Sequence, residues 1–282
     1  MIGGVAGSWG RMNTRETSPT LRLAAFDLDG TLLGPDSTIS RENRAALTRL
    51  AEAGIEVVLA SGRHYHSVAS YAAQLPEVKW IVSSQGAEVG TTDRSHVLGR
   101  TFLREAEVRA LMEAENGRGF TPVYYSGDDV FTSTLPNKDL AGYTALSGHS
   151  PVFADRGEIG QMELQKILWL GERERIAELR TDERVAALGV QSLQTQPDIF
   201  EFMPHQTTKA HALQILTDHL GLKAENAVVF GDGENDISMF QWAGHSYAMP
   251  HGWEHALAAA KRIAPEGPPE TVIARAVEEM LK

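Results

Sequence analysis

The stretch Asp27-Leu28-Asp29-Gly30-Thr31-Leu32 places two carboxylates two residues apart, directly after the apolar run Leu21 to Phe26. Such a run is typical of a parallel strand buried on both faces, and Gly30 supplies the turn that follows it. Side chains two apart on an extended backbone point the same way, so Asp27 and Asp29 are expected to share one site. Two like charges at such a short distance are unfavourable unless a cation or a proton lies between them. We therefore expect a divalent metal ion.

Two other structures would explain the same residues. Asp and Gly both favour turns, so Asp-x-Asp-Gly alone is equally consistent with a surface turn. A calcium loop of the EF-hand type does not fit the spacing: counted from Asp27, the sixth position is Leu32, where Gly is needed, and the twelfth is Thr38, where Glu is needed. The choice between a turn and a site therefore depends on the rest of the chain.

The composition predicts a soluble globular protein. The chain has 282 residues, of which 42% are hydrophobic, enough to bury a full core. A formal net charge of −11, without a Lys/Arg-rich run, argues against nucleic acid or an anionic membrane as the main partner. No segment approaches the ~20 apolar residues that span a bilayer. The absence of cysteine excludes disulfides and thiol catalysis and fits a reducing compartment, so we expect a cytoplasmic protein. Residues 1–20, rich in Gly, Ser and Thr, are expected to be a disordered leader.

Strand and helix patterns alternate in the first and last parts of the chain. Ser40 can cap a helix that Gly54 ends, and the strand that follows implies parallel pairing with a right-handed crossover. Residues 85–196 differ, because alternating segments there are interspersed with helices, as in an α+β unit with an antiparallel sheet. We therefore predict an α/β fold with a Rossmann-like parallel-sheet core, residues 21–84 and 197–282, and an inserted α+β cap domain, residues 85–196. The predicted helices are 40–53, 65–75, 105–115, 172–188, 208–220, one from 236 and one from 270, and the predicted strands are 21–26, 55–60, 80–82, 123–125, 130–133, 165–170, 227–230 and 246–249.

Three further polar segments lie at the ends of predicted core strands or beside them. Ser61-Gly62-Arg63 follows the second strand, the acidic run Gly231 to Asp236 follows the strand 227–230, and Lys209 begins the helix before that strand. Taken singly, they are consistent with a capped turn, a plain loop and a solvated helix residue. Ligands of open α/β sheets bind at the carboxyl ends of the strands, where these segments and Asp27 converge. Together they indicate a site.

These residues carry a resemblance to a known family. In order and separation, Asp27-Leu28-Asp29-Gly30-Thr31, Ser61-Gly62-Arg63, Lys209 and Gly231-Asp232-Gly233-Glu234-Asn235-Asp236 resemble the four motifs of the haloacid dehalogenase (HAD) superfamily of phosphohydrolases. The chain is most similar to the Cof-like group, which carries a large cap of the C2 (IIB) type between the second and third motifs. The resemblance covers the chain from about Leu21 to its C-terminus.

The resemblance implies a role for each motif residue. Asp27 would be the nucleophile that forms an aspartyl-phosphate, and Asp29 would protonate the leaving oxygen and later activate water. Mg²⁺ would be held by the Asp27 side chain, the Asp29 main-chain carbonyl and Asp232, with Asp236 close by. Thr31 would orient Asp29 or its loop, and Arg63 would either reach the substrate or brace its motif. Phosphate would be bound by Leu28, Ser61, Gly62, Lys209 and Asn235.

Two segments depart from the pattern of similar proteins, which often carry Asn at the position of Gln85 and Gly-Asn at the position of Pro250-His251. These departures concern substrate details and not the chemistry. Other residues favour structural interpretations. The pairs His64/His66 and His251/His255 lack a partner cluster and are expected on loops or helix surfaces, and Trp169 and Trp242 in the core. The insert tyrosines Tyr124, Tyr125 and Tyr143 could line a substrate pocket or pack against the sheet of the insert, and we expect packing.

The sequence thus predicts a Mg²⁺-dependent phosphatase of small phosphorylated metabolites, such as sugar phosphates or phosphorylated cofactors, acting as a monomer or homodimer. The inserted domain would serve as a lid and read the leaving group. A phosphomutase of the same architecture and a catalytically silent module that binds phosphorylated metabolites are the alternatives. Release of phosphate without a bisphosphate activator excludes the first, and hydrolysis of a generic aryl phosphate excludes the second.

Overall fold

The computed structural model describes residues 20–281. The predicted leader, residues 1–20, lies outside this range except for Thr20. The strands form two sheets, and helices pack on both of them. The strands are β1 Leu23–Phe26, β2 Glu56–Ala60, β3 Val78–Ser83, β4 Glu88–Thr91, β5 Val97–Arg100, β6 Thr121–Ser126, β7 Asp129–Thr132, β8 Val152–Phe153, β9 Lys166–Leu170, β10 Gln191–Gln196, β11 Ile199–Met203, β12 Ala227–Gly231, β13 His245–Ala248 and β14 Arg262–Ile263.

Helices connect most of these strands, and several end at residues that the sequence marks clearly. The Ser40 side chain accepts a hydrogen bond from the Asn43 N–H at the start of α1, and Gly221 ends α8 in the left-handed conformation. The helices are α1 Arg41–Glu52, α2 Tyr65–Ala72, α3 Glu105–Glu115, α4 Lys138–Ser147, α5 Arg156–Ile159, α6 Arg173–Glu178, α7 Glu183–Ala186, α8 Lys209–Leu220, α9 Ile237–Trp242, α10 Glu254–Ala259 and α11 Val272–Met280.

The first sheet has eight strands in the order β14-β13-β12-β1-β2-β3-β4-β5. Its first six strands are parallel, and β4 and β5 are antiparallel. In β1, Ala24 and Phe26 pack with α1 and α11 on one face, whereas Leu23 and Ala25 pack with α8 and α9 on the other. The predicted parallel strand buried on both faces and the predicted α/β class are thus confirmed.

The second sheet has six strands in the order β10-β11-β9-β6-β7-β8. We call residues 101–203, which contain this sheet and helices α3 to α7, the insert. One face of the sheet packs a core around Trp169 and Phe202, as expected for Trp169. The opposite face carries Tyr125 and Leu168, which pack with Tyr143 of α4. This second face is turned toward the first sheet.

The sheet pairing differs from the predicted limits of residues 85 and 196. A tight turn at Ser84–Gly86 sends the chain back antiparallel as β4, so residues 88–100 extend the first sheet. At the other end, β11 pairs with β9 and β10 and belongs to the insert sheet. Both errors have one cause, because alternating antiparallel strands look alike in sequence whichever sheet they join.

The predicted helix 172–188 was also wrong in its continuity. It consists of α6 and α7, separated by a short 3₁₀ turn at Leu179–Thr181. The Asp182 side chain accepts a hydrogen bond from the Arg184 N–H and caps α7 anew. The helix Lys138–Ser147 was not predicted. No helix within residues 20–281 is both long and apolar enough to cross a membrane.

Asn43 is buried and joins three segments around the first motif. Its amide donates a hydrogen bond to the Leu32 carbonyl (3.2 Å) and accepts one from the Ala274 N–H of α11 (3.1 Å). Asn43→Ala should lower the free energy of unfolding by about 2 kcal/mol, because two buried backbone groups lose their partners. Urea denaturation measures this. The exposed Asn116→Ala is the control, and equal effects of the two substitutions would contradict the assignment.

Candidate active site

The predicted site residues converge at the carboxyl ends of the parallel strands. Asp27 follows β1, Ser61 follows β2, and Asp232 follows β12, which are neighbours in the sheet order β12-β1-β2. Lys209 enters from the first turn of α8. The convergence expected from strand order alone is therefore present in the structure.

A buried ammonium group lies between two carboxylates at the centre of this site. Lys209 Nζ is 2.5 Å from Asp27 Oδ1 and 2.7 Å from Asp236 Oδ1, and all three side chains are buried. Burial alone would lower the pKa of Lys209, but Asp236 and Asp27 outweigh it and raise the pKa above its ordinary value. Lys209 is therefore charged, and it is no solvated helix residue.

Asp27, Asp232 and Asp236 form an acidic cluster. One carboxylate oxygen from each lies within 4.8 Å of the others. Burial raises the pKa of Asp27, and burial followed by repulsion from Asp236 raises the pKa of Asp232 to about 7. With all three carboxylates ionised, the cluster and the Lys209 ammonium would carry a net charge of −2, which a divalent cation would neutralise. The oxygen donors also suit such a cation, so the residues present fit the predicted metal site.

The loop that carries Asp232 is held by its own side chains. Asp236 Oδ2 accepts hydrogen bonds from the N–H groups of Asp232 (2.9 Å) and Gly233 (3.0 Å). Thr31 donates to Asp232 Oδ1 (3.3 Å), so the first motif is joined to this loop. Gly30 is required between them, since its φ is +72° and a Cβ there would lie 2.4 Å from Asp232 Oδ2.

Asp29 stands apart from the acidic cluster and pairs with Arg63. Arg63 donates two hydrogen bonds, from Nε to Asp29 Oδ2 (2.8 Å) and from Nη2 to Asp29 Oδ1 (2.6 Å). The same guanidinium donates to the carbonyls of Leu146 and Ser147 at the end of α4, at 3.2 Å each. Arg63 therefore joins Asp29 to the insert, and it also lines the cavity described below, so both of its predicted roles stay predictions.

The insert covers the site through two more contacts. Lys166 of β9 donates to the Gly62 carbonyl (2.7 Å), and Arg180 forms two hydrogen bonds of 2.9 Å with Glu234. A cavity of about 100 Å³ remains beneath the insert. It is lined by Asp27, Asp29, Gly62, Arg63, Gln85, Tyr125, Tyr143, Leu146, Ser147, Lys166, Leu168, Thr195, Gln196, Ile199, Glu201, Asp232, Gly233, Asn235 and Trp253.

The structure places the remaining predicted phosphate ligands differently. Gly62 and Asn235 line this cavity, Lys209 borders an adjoining cavity of about 310 Å³, and Ser61 and Leu28 are buried and line neither. The Ser61 hydroxyl accepts a hydrogen bond from the Arg63 N–H (3.2 Å).

Sequence reasoning anticipated the tyrosines of the insert wall but missed its charged residues. Tyr125 and Tyr143 pack against the sheet and also line the cavity, and their hydroxyls share a 2.8 Å hydrogen bond. Lys166 and Glu201 were not singled out. Their signal was a single charged residue within each of two apolar strands, β9 and β11.

His64 is buried, although a loop or helix-surface position was expected. Its ring lies 4.8 Å from that of His149 in the insert, and neither of its nitrogens has a hydrogen-bond partner within residues 20–281. Burial, followed by the charges of His149, His66, Lys166 and Arg63, lowers its pKa to about 3. His64 is therefore neutral at pH 7.

Comparison with known proteins gives consistent matches. A sequence profile described as haloacid dehalogenase-like hydrolase matches residues 24–275. The HMP-PP phosphatase of Serratia proteamaculans (strain 568) is 28% identical over 246 residues, which are 87% of this chain and 88% of that protein. The crystal structure of a haloacid dehalogenase-like hydrolase from Bacteroides thetaiotaomicron superposes with a TM-score of 0.80 at 26% identity, covering 93% of this chain and all of the other. A HAD subclass IIB sugar phosphatase gives 0.81 at 20% identity, covering 92% and 98%, and shares the fold including the insert.

The acidic cluster should bind a divalent cation. Mg²⁺ added at 100 times its dissociation constant should stabilise the wild-type protein by about 2.7 kcal/mol. Asp232→Asn should largely abolish this gain, because it removes one charge and keeps the shape of the side chain. Thermal melts with and without Mg²⁺ measure the effect, and the exposed Asp198→Asn is the matched control. Equal stabilisation of all three proteins would show that the cation binds elsewhere.

His64 should make the protein sensitive to acid. Its pKa is lower in the folded than in the unfolded state, so the stability that depends on neutral His64 is complete above pH 6.5 and is lost as the pH falls toward 3. In this range the unfolded state binds one more proton than the folded state. The free energy of unfolding therefore falls by about 1.4 kcal/mol for each pH unit. Denaturation of His64→Leu at pH 7.5 and pH 5 should show a smaller difference than the wild type does. His66→Leu, at an exposed position, should retain the wild-type difference.

Proposed function

Because the chain belongs to the haloacid dehalogenase-like hydrolases, we propose that it is a Mg²⁺-dependent phosphatase that hydrolyses small phosphorylated metabolites through a phosphorylated Asp27. The buried contact of Lys209 with Asp27 and Asp236 is the observation that carries this proposal, because Asp27 lines a cavity that the insert covers. A phosphate ester in the cavity would meet a fixed carboxylate, a fixed cation and little water.

Asp27 is the nucleophile in this proposal. It is the residue directly after β1, and its Oδ1 atom is held by Lys209, so the carboxylate has a fixed position at the floor of the cavity. Attack by Asp27 on phosphorus forms the acyl-phosphate bond and releases the alcohol of the ester. Water then cleaves the acyl-phosphate and restores Asp27.

Asp29 supplies the proton in the first step and receives one in the second. It lines the same cavity as Asp27, and its side chain is about one-third exposed. Both oxygens of Asp29 accept hydrogen bonds from Arg63, so this pair would have to separate before Asp29 could contact the leaving oxygen.

Mg²⁺ would be held by Asp27 and Asp232. Both oxygens of Asp236 already accept hydrogen bonds from Lys209 and from its own loop, so this residue supports the ligands more than it adds one. The chemistry that the ion supplies when bound is neutralisation of charge between a carboxylate and a phosphate ester. The transferred phosphoryl group would be bound by Lys209, Ser61, the Gly62 and Leu28 N–H groups and Asn235.

The leaving group would lie against the insert. The wall there combines Tyr125, Tyr143, Leu168 and Ile199 with a few polar side chains, as in many sites for small molecules. A cavity of about 100 Å³ under a closed insert favours small esters over phosphoproteins. One relative is an HMP-PP phosphatase and one structural neighbour a sugar phosphatase, so both phosphorylated cofactors and sugar phosphates belong in the substrate screen. Such metabolites and the lack of cysteine favour the cytoplasm.

Substitution of the two first-motif acids should give different results. Asp27→Asn should lower phosphate release by roughly 10³-fold or more, since the nucleophile is lost. Asp29→Asn should slow water attack and accumulate the phosphorylated enzyme, which intact-mass spectrometry detects after mixing with substrate. A screen of phosphorylated metabolites and an aryl phosphate with Mg²⁺, without any bisphosphate, measures the rates.

Asp27→Asn serves as the blank of that screen. If the wild type releases no more phosphate than this blank from any ester, the proposed function is wrong. If a bisphosphate must be added and the monoester is then isomerised without net release of phosphate, the protein is a phosphomutase.

A further inference from the structure

Two buried charges of the insert have no part in the chemistry proposed above. Lys166 on β9 and Glu201 on β11 lie on neighbouring antiparallel strands, and Lys166 Nζ is 3.1 Å from Glu201 Oε2. Only 1% of Lys166 and 5% of Glu201 is exposed. A buried ion pair is often no more stabilising than an apolar pair of similar size, so stability alone does not account for it.

The pair connects two loops of the active site. On one side, Lys166 Nζ donates to the Gly62 carbonyl (2.7 Å). On the other, Glu201 Oε2 accepts from Gln85 Nε2 (3.0 Å), and Gln85 Oε1 accepts from Asn235 Nδ2 (3.2 Å). One chain of hydrogen bonds therefore runs from Gly62 through the insert to Asn235.

Within this chain of hydrogen bonds, Gln85 and Gly62 are closely packed. Gln85 has a φ of +62°, which is uncommon for a residue other than glycine. A Cβ on Gly62 would lie 2.4 Å from Gln85 Nε2, so only glycine permits this approach.

Most hydrogen-bond donors and acceptors of Lys166 and Glu201 are already engaged within the protein, so few remain for a ligand. Glu201 Oε1 accepts from Thr195 (3.0 Å), and Oε2 accepts from both Lys166 and Gln85. Lys166 Nζ spends two donors on Glu201 and Gly62 and packs 4.4 Å from the centroid of the Tyr125 ring. The groups act on the protein itself and not on a leaving group.

We propose that Lys166 and Glu201 are positioning residues: they set the Gly62 and Asn235 loops for the phosphoryl group, and so make phosphate affinity depend on the insert. This inference rests on the proposed function, in which both loops bind phosphate. Lys166 holds the Gly62 carbonyl and thereby positions the Gly62 N–H, which would donate to the phosphoryl oxygens. Glu201 holds the Asn235 amide in place through Gln85.

The test compares phosphate affinity with stability. Lys166→Met or Glu201→Gln alone leaves one buried charge without its partner and should destabilise the protein. The double substitution removes both charges and should recover most of the melting temperature. It should still bind inorganic phosphate about tenfold more weakly than the wild type in the presence of Mg²⁺, because the Gly62 carbonyl has lost a charged donor. Isothermal titration with inorganic phosphate measures this without any turnover.

A second pair in the insert is the matched control. Arg156 and Glu115 form a 2.7 Å ion pair between α5 and α3, and neither lines the cavity. Arg156→Met/Glu115→Gln should leave the phosphate dissociation constant within twofold of the wild-type value. For esters with different leaving groups, the Lys166/Glu201 double variant should lose the same fraction of kcat/KM each time.

Three results would overturn the inference. The first is wild-type phosphate affinity in the Lys166/Glu201 double variant. The second is a loss of kcat/KM confined to particular leaving groups, which would make the pair a reader of the substrate. The third is a wild-type protein that binds no inorganic phosphate at all. Failure of the proposed function is distinct, since it shows as a lack of ester hydrolysis in a protein that still binds phosphate.

Discussion

The Lys209 ammonium, held between Asp27 and Asp236, is the interaction on which the site depends. Without this positive charge, three carboxylates would lie within 4.8 Å of one another in a buried setting, and some of them would be neutral. The lysine can occupy that place only because α8 begins there, directly after the chain returns from the insert. The same charge that permits the acids to gather would also attract the phosphoryl group that they are to receive.

The insert contributes to this arrangement from above. Its contacts reach two loops of the first sheet: the loop after β2, through Arg63 and the Gly62 carbonyl, and the loop after β12, through Glu234. Each contact is polar and pairs a cation with an anion or a carbonyl. Polar contacts of this kind are remade more readily than an apolar interface, so they suit a surface that must separate to admit substrate.

Much of the site was predictable because most of its residues directly follow a strand that the sequence pattern identifies. Asp27 and Asp29 follow a strand of unmistakable apolar character, and Ser61 and Asp232 each follow another. The insert was harder, since its contributions come from single residues such as Lys166 and Glu201, whose partners are 35 to 116 residues away along the chain. The sheet limits failed for a related reason, because an alternating strand does not encode which edge it joins. The contact of Arg63 with the carbonyls that end α4 could not be predicted, because α4 itself was not predicted and lies more than 80 residues away along the chain.

Arg63 connects Asp29 to helix α4 of the insert. Its guanidinium donates to Asp29 and to the carbonyls that end α4, so the same five N–H donors serve both partners. Movement of α4 away from the site would remove two acceptors from Arg63 and leave Asp29 as its main partner. Conversely, a phosphate ester near Arg63 would compete with Asp29 for the guanidinium and free the carboxylate for proton transfer. In the proposed function, substrate entry and release of Asp29 from Arg63 would thus be two consequences of one exchange of hydrogen bonds at the residue that joins both parts of the molecule.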